Sequence, residues 1–426
     1  LESPIDRDNV IYVANSESRD ISVIDLIQGV SVATINSNYG LQAGGNHVSQ
    51  GRLSDIVMSH DGKYVYTLVG GSTMSSDRKI LSVIDTACNT VISSVDNVSG
   101  YDLVLNPAGD TLYALEYGNT GIGAETTVHV IDTSLAITNP DIALLDSNIA
   151  MMGFDSSFTM DARDIITRQC AHYKIKDENI LNDPFNAVVS RFSPTGHNRD
   201  DGCAEAQTLT PDGRYLIGYW KREGNKQSFI YVYDVNTVPL SVQNSPVVAS
   251  YPSDGIDFLL AHPDGPYIYG FRGSNLIILN LSDILSENYD GVQILDQQLP
   301  AIPSAMRFSN DGSQVYITLN NSNIQQYPGY SEVFADSIIV VDHDQTILNQ
   351  QITIVREITV GNVPRSIALQ PLPAPEIHSI EPDSGHIDDI VSIKGANFSP
   401  MLDQNIVLTR IPHIKKLIWC KKSVKK

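Results

Sequence analysis

Asp61-Gly62-Lys63-Tyr64-Val65-Tyr66, followed after a polar gap by Ile80-Leu81-Ser82-Val83-Ile84-Asp85, is a phrase that this chain repeats. It returns as Gly109-Asp110-Thr111-Leu112-Tyr113 with Val128-His129-Val130-Ile131-Asp132, and as Asp212-Gly213-Arg214-Tyr215 with Ile230-Tyr231-Val232-Tyr233-Asp234. Two more copies are Asp264-Gly265-Pro266-Tyr267-Ile268-Tyr269 with Leu276-Ile277-Ile278-Leu279-Asn280, and Asp311-Gly312-Ser313-Gln314-Val315-Tyr316 with Ile338-Ile339-Val340-Val341-Asp342. Apolar residues that alternate over five or six positions mark a strand with one covered face, and Gly in the turn takes positive φ without steric cost. Each copy reads as strand, Asp-Gly turn, strand, loop, strand, turn, strand. In the first full copy the four strands are expected at 55–59, 64–68, 80–85 and 91–95.

A period of about 45 to 50 residues is the range of propellers and arrays. One four-stranded antiparallel blade cannot cover both of its faces, so blades must stack. The chain opens with Val10-Ile11-Tyr12-Val13-Ala14-Asn15 and Ile21-Ser22-Val23-Ile24-Asp25, a second and third strand with no first. Near the other end, Val363-Pro364-Arg365-Ser366-Ile367-Ala368-Leu369 is a first strand with no second. The first blade is therefore expected to be shared between the termini, closing the ring without an open edge.

Ile11-Tyr12-Val13-Ala14-Asn15 with Ile21-Ser22-Val23-Ile24-Asp25 resembles the repeat of YVTN-type β-propellers, a class of prokaryotic surface proteins related to lactonase-type propellers. The resemblance covers residues 10 to 371 and implies an all-β, seven-bladed β-propeller. The phrase fades between about 146 and 202, where 149–154 and 187–192 read as strands and 160–168 as a helical turn or decorated loop within a degenerate fourth blade. Pro371, Pro373 and Pro375 then form a stiff spacer over 372–376. Residues 377–409, with Val391-Ser392-Ile393-Lys394-Gly395-Ala396-Asn397-Phe398, resemble the start of an IPT/TIG immunoglobulin-like domain, a partial β segment. From Arg410 to Lys426 there are seven Lys or Arg and no Asp or Glu. This tail is either a basic segment for an anionic partner or a truncated or out-of-frame end.

A net charge of −21 argues against nucleic acid as the partner of the propeller. No apolar run reaches the length of a membrane span. The four cysteines are too few for a disulfide framework; Cys170 and Cys203 flank the degenerate blade and are the candidate pair. No nucleophile elbow, phosphate loop or zinc-protease motif occurs. His60, His262 and His343 lie beside blade turns and read as packing or capping residues, and the recurrent aspartates read as turn residues.

Side chains that break the repeat just before a first strand are the candidates for a site at the channel mouth, since one per blade would converge near the axis. They are His47, Arg52, Asp102 (with Tyr101), Asp201 (with Asp200), Glu205, Asp257 and Arg365. Asp102, Glu205 and Asp257 together suit a hard cation, calcium or magnesium; no other cofactor is expected. The pairing of the two resemblances implies a non-catalytic interaction or adhesion protein, extracellular or at the cell surface, whose partner is a protein or polysaccharide of the envelope. The alternative is a lactonase-like hydrolase with an acidic or metal site, in the periplasm. Oligomeric state is left open.

Overall fold

The structure is a computed structural model. It describes residues 9–36, 52–70, 80–98, 100, 102–106, 108–117, 126–151, 156–158, 164–167, 172–176, 188–192, 203–221, 227–235, 247–320, 336–371, 376–381 and 392–396. The chain divides into two compact units, Leu1–Gln370 and Pro371–Lys426.

The first unit is an all-β propeller. Blade A orders its strands Pro364–Leu369, Val10–Asn15, Asp20–Asp25, Val30–Asn36. Blade B runs Arg52–Met58, Tyr64–Gly70, Ile80–Asp85, Thr90–Asp96, and blade C runs Asp102–Leu105, Thr111–Tyr117, Thr126–Asp132, Leu144–Met151. Blade E holds Cys203–Leu209, Tyr215–Lys221, Phe229–Asp234 and Val247–Pro252. Blade F holds Phe258–Ala261, Tyr267–Arg272, Asn275–Asn280 and Gln293–Gln298, and blade G holds Ile302–Phe308, Gln314–Asn320, Ser337–Asp342 and Ile354–Thr359. All neighbours are antiparallel, so chain order is strand order except in blade A, which both ends of the propeller build.

Between blades C and E in sequence, Ser156–Phe158, Asp164–Thr167, His172–Lys176 and Val188–Phe192 pair as a further four-stranded sheet D, of which the backbone alone is described. Six blades carry described side-chain packing, which corrects the expected count of seven. The physical reason is visible in the sequence: this stretch lacks the Asp-Gly turn and the alternation that mark the other blades. The expectation of a helical turn over 160–168 is also corrected, because Asp164–Thr167 pairs on both sides as a strand. Ile165, Ile166 and Thr167 are β-branched and favour the pleated backbone.

The hydrophobic core lies in the seams between blades. Tyr12, Val23, Leu53 and Ile56 fill the A–B seam, and Tyr66, Leu81, Leu103 and Ala114 fill B–C. Ile217, Ile230, Leu259 and Ile268 fill E–F, Tyr269, Ile278, Met306 and Ile317 fill F–G, and Ile11, Ile24, Ile338 and Ile367 close G–A. Third strands are buried almost throughout, as in Ile80–Asp85, while outer strands such as Ile354–Thr359 are mostly exposed.

The recurrent aspartates do structural work. In the Asp-Gly turns, Asp61, Asp212 and Asp311 accept the amides of Lys63, Arg214 and Ser313, and the hydroxyls of Ser59, Thr210 and Ser309. At the end of the third strands, Asp132 and Asp342 cap short helices, Thr133–Thr138 and His343–Asn349, and Asn280 caps Leu281–Leu285. In the second unit, Glu376–Glu381 pairs antiparallel with Ser392–Ala396. The tail from 410 to 426 lies outside the described residues.

Candidate functional site

The first strand of each blade is its innermost, so the loop-side ends of these strands surround the channel mouth. Counting from the turn, the fifth residue of each second strand faces one residue of the first strand. The facing residues are Ser366 in blade A, Asp55 in B, Asp102 in C, Ala206 in E, Phe258 in F and Ala305 in G. The residue just before this position is Arg365, Ser54, Tyr101, Glu205, Asp257 and Ser304 in turn. In blades A, B, E and G it is the extra residue of a β-bulge. A bulge leaves its extra residue unpaired and re-aims the side chain, which is why such irregularities gather at rims and sites.

Two of these bulge residues stitch the ring. Ser54 Oγ donates to Gly100 O at 2.9 Å, and Ser304 Oγ donates to Pro364 O; each acceptor precedes the same register position in the next blade. Asp257 is exposed, and its Oδ2 accepts Gly273 N at 2.9 Å, which holds the hairpin turn of its own blade. Arg365 is exposed and is the extra residue of its bulge. Glu205 occupies the equivalent bulge in blade E, and only its backbone is described.

Asp55 is the polar centre of this end of the channel, and sequence inspection did not single it out. Its Oδ1 accepts Ser366 Oγ of blade A at 2.5 Å and its own neighbour Ile56 N at 2.8 Å; its Oδ2 accepts Leu103 N of blade C at 2.7 Å. One carboxylate therefore joins three blades. Burial pushes its carboxyl above the usual range, against the pull of the Ser366, Leu103 and Ile56 donors and the Arg307 guanidinium of blade G. A signal existed: an acid between Leu53 and Ile56, both about 1% exposed, in an inner strand that buries alternate apolar residues.

Of the other sequence candidates, Arg52 starts the inner strand of blade B and Asp102 the inner strand of blade C; the Arg52 side chain is outside the described set. Tyr101, His47, Asp200 and Asp201 lie outside the described residues, as does Cys170; Cys203 is described only as backbone. The structure brings Arg365, Glu205 and Asp257 to one register position, with Asp102 one residue further along its strand. Among the described residues no group of three or more His, Cys, Asp or Glu is placed to hold a metal ion. Among the described residues no helix is long and apolar enough to cross a membrane.

No family model matches the chain, and no curated protein matches it. Solved structures do. A functionally unknown protein from Desulfotomaculum acetoxidans DSM 771 is 13% identical with a TM-score of 0.56, over 85% of this chain and 99% of that one. Hydrazine synthase from Kuenenia stuttgartiensis is 14% identical with a TM-score of 0.55, over 79% of this chain and 94% of that one. The dihydro-heme d1 dehydrogenase NirN is 13% identical with a TM-score of 0.49, over 86% and 76%. At these identities the likeness is one of fold: the chain is a β-propeller.

Proposed function

We propose that this protein is a non-catalytic interaction module, displayed extracellularly or at the cell surface, that binds a protein or polysaccharide partner at the mouth of its propeller. The observation that carries this reading is the register position at which the blades stop repeating. Most blades close the third strand on Asp and turn on a Gly next to Asp, whereas here the occupants are Arg365, Ser54, Glu205, Asp257 and Ser304. The serines are used between blades and Asp257 within one, while Arg365 stays exposed at the rim. A rigid ring that presents differing side chains at one end is suited to recognition.

Sheet D is placed next to the inner strands of the propeller. Its first strand Ser156–Phe158 lies beside both Asp102–Leu105 and Cys203–Leu209, the inner strands that flank it in sequence. The YVTN likeness of Ile11–Asn15 and the IPT/TIG likeness of the segment after Pro375 support a surface protein with immunoglobulin-like modules following the propeller.

The test is binding of the purified chain to immobilised protein and polysaccharide fractions of the native host envelope, comparing wild type with Arg365→Glu. Loss of binding by at least about ten-fold, with thermal midpoint unchanged, is expected, since a rim charge contact of about 1.4 kcal/mol is worth that factor. Equal binding by the two proteins overturns the assignment of the mouth. Turnover of lactones by the wild type, lost in Glu205→Gln, would replace binding with hydrolysis.

A further inference from the structure

Two imidazoles meet where blades F and G touch. His262 follows the first strand of blade F and His343 follows the third strand of blade G. Their ring centroids are 4.0 Å apart with planes 29° from parallel, and they are 4% and 7% exposed. Phe308 stands edge-on to His262 at 4.8 Å, and Tyr269 Oη hydrogen-bonds His343 Nδ1 at 2.7 Å.

Several other blades use hydroxyls at one or both of these places. In blades B and C the residue after the third-strand Asp is Thr86 or Thr133, whose Oγ1 donates to the turn carbonyl of its own blade, Gly62 O at 2.8 Å or Gly109 O at 2.9 Å. The residue that opens the Asp-Gly turn is Ser59, Thr210 or Ser309 in blades B, E and G. In blade G the threonine is replaced by His343, which has no hydroxyl for Gly312 O. That carbonyl is instead bonded across the seam by His262 Nε2 at 3.0 Å. Asp264 N donates to His262 Nδ1 at 3.0 Å, so the ring carries its single proton on Nε2. A second proton would turn Nδ1 from acceptor to donor against an amide, and place a charge against the stacked ring.

We propose that the F–G seam is an acid-operated joint: protonation of the His262–His343 pair breaks the stack and opens this one seam while the rest of the ring stays closed.

The surrounding groups fit such a joint. Burial lowers His343 to about 4, with the neighbouring His262 adding to the effect; burial also lowers His262, against the Gly312 and Asp264 bonds that raise it. The acids facing the pair are Asp264 on its own turn and Asp342 and Asp344 at the helix start, and they pull the other way without cancelling the burial. Tyr267 and Tyr269 complete the surroundings from the adjacent strand; burial pushes the Tyr269 phenol up, so it stays protonated and neutral. Both rings take a proton more readily once exposed. The closed seam is therefore favoured above about pH 6.5 and loses that advantage progressively down to about pH 4.

The experiment is amide hydrogen exchange on the full chain at pH 7.5 and 5.0, corrected for intrinsic rates, followed at Asp264, Gly312 and His343 and at the equivalent amides of blades B and C. Acid should raise the opening constant at the F–G amides about ten-fold relative to the others. The double variant His262→Ser with His343→Thr rewrites the seam in the chemistry of blade B, and it should lose that selective response. An acid response spread equally over all blades, or retained in the double variant, overturns the proposal. Should the variant fail to fold, titration of the two histidines by NMR in the wild type decides: resonances titrating near 6.5 overturn it, and resonances titrating well below support it.

Discussion

Asp55 and Asp132 show how the same side chain carries opposite pH signatures in one fold. Burial raises the Asp55 carboxyl despite its three donors, so its contribution is complete below the unfolded carboxylate range and is lost as pH rises through the folded value. At Asp132 burial also pushes up, but the Leu135 amide and the Ser134 hydroxyl and amide outweigh it and hold the carboxyl low. That stability is present above the unfolded value and is lost as pH falls through the folded one. Ser366→Ala removes the shortest donor to Asp55 and should cost about 1 kcal/mol in urea unfolding at pH 7. The loss should shrink at pH 3.5, where the carboxyl is protonated. A loss of the same size at both values would show that Ser366 acts by packing alone.

The elements legible in the sequence were those whose pattern repeats. Strand Ile80–Asp85 was expected with its observed bounds, and the closing strand 363–369 begins one residue later, at Pro364. The bulges were not legible, because one extra residue, Ser54, Glu205 or Arg365, leaves the alternation on either side intact. Nor were the helices after the third strands. Thr133–Thr138 is six residues, under two turns, too short to show a period of 3.6, and its one signal was the Asp132 cap, which read as a strand-closing turn residue. Asp132→Ala should cost about 1 kcal/mol at pH 7 by thermal or chemical unfolding, the usual value of an N-cap. Arg365, Glu205 and Asp257 share a register because the repeat itself sets it; Asp55 and the His262–His343 pair were missed because their partners come from other blades, at separations a single copy of the repeat does not display.

For the whole molecule, ring closure is the decisive contact. Pro364–Leu369 covers the edge of Val10–Asn15, and the same junction is held by Ser16 N to Val363 O at 2.8 Å and Val363 N to Asp336 Oδ2 at 2.6 Å. At the outer rim, Arg356 Nη1 donates to Leu26 O from blade G to blade A. A chain ending at residue 363 should lose cooperative unfolding and aggregate through the bared edge, whereas one ending at residue 371 should melt in a single transition. Scanning calorimetry with light scattering separates the two, and a soluble, cooperative chain ending at 363 would show that the seams alone hold the ring.

The closing strands also decide how the ring responds to force. Val10–Asn15 and Pro364–Leu369 run antiparallel, with Ile11 opposite Leu369 and Gln370 N bonded to Val10 O at 3.1 Å, so the chain enters and leaves at the same end of the pair. Tension applied between residues 10 and 370 pulls across the ladder and loads its bonds one after another, as a zipper is opened, instead of sharing the load along the strand. A ring closed by this ladder is thus built to yield at its clasp when drawn from its ends.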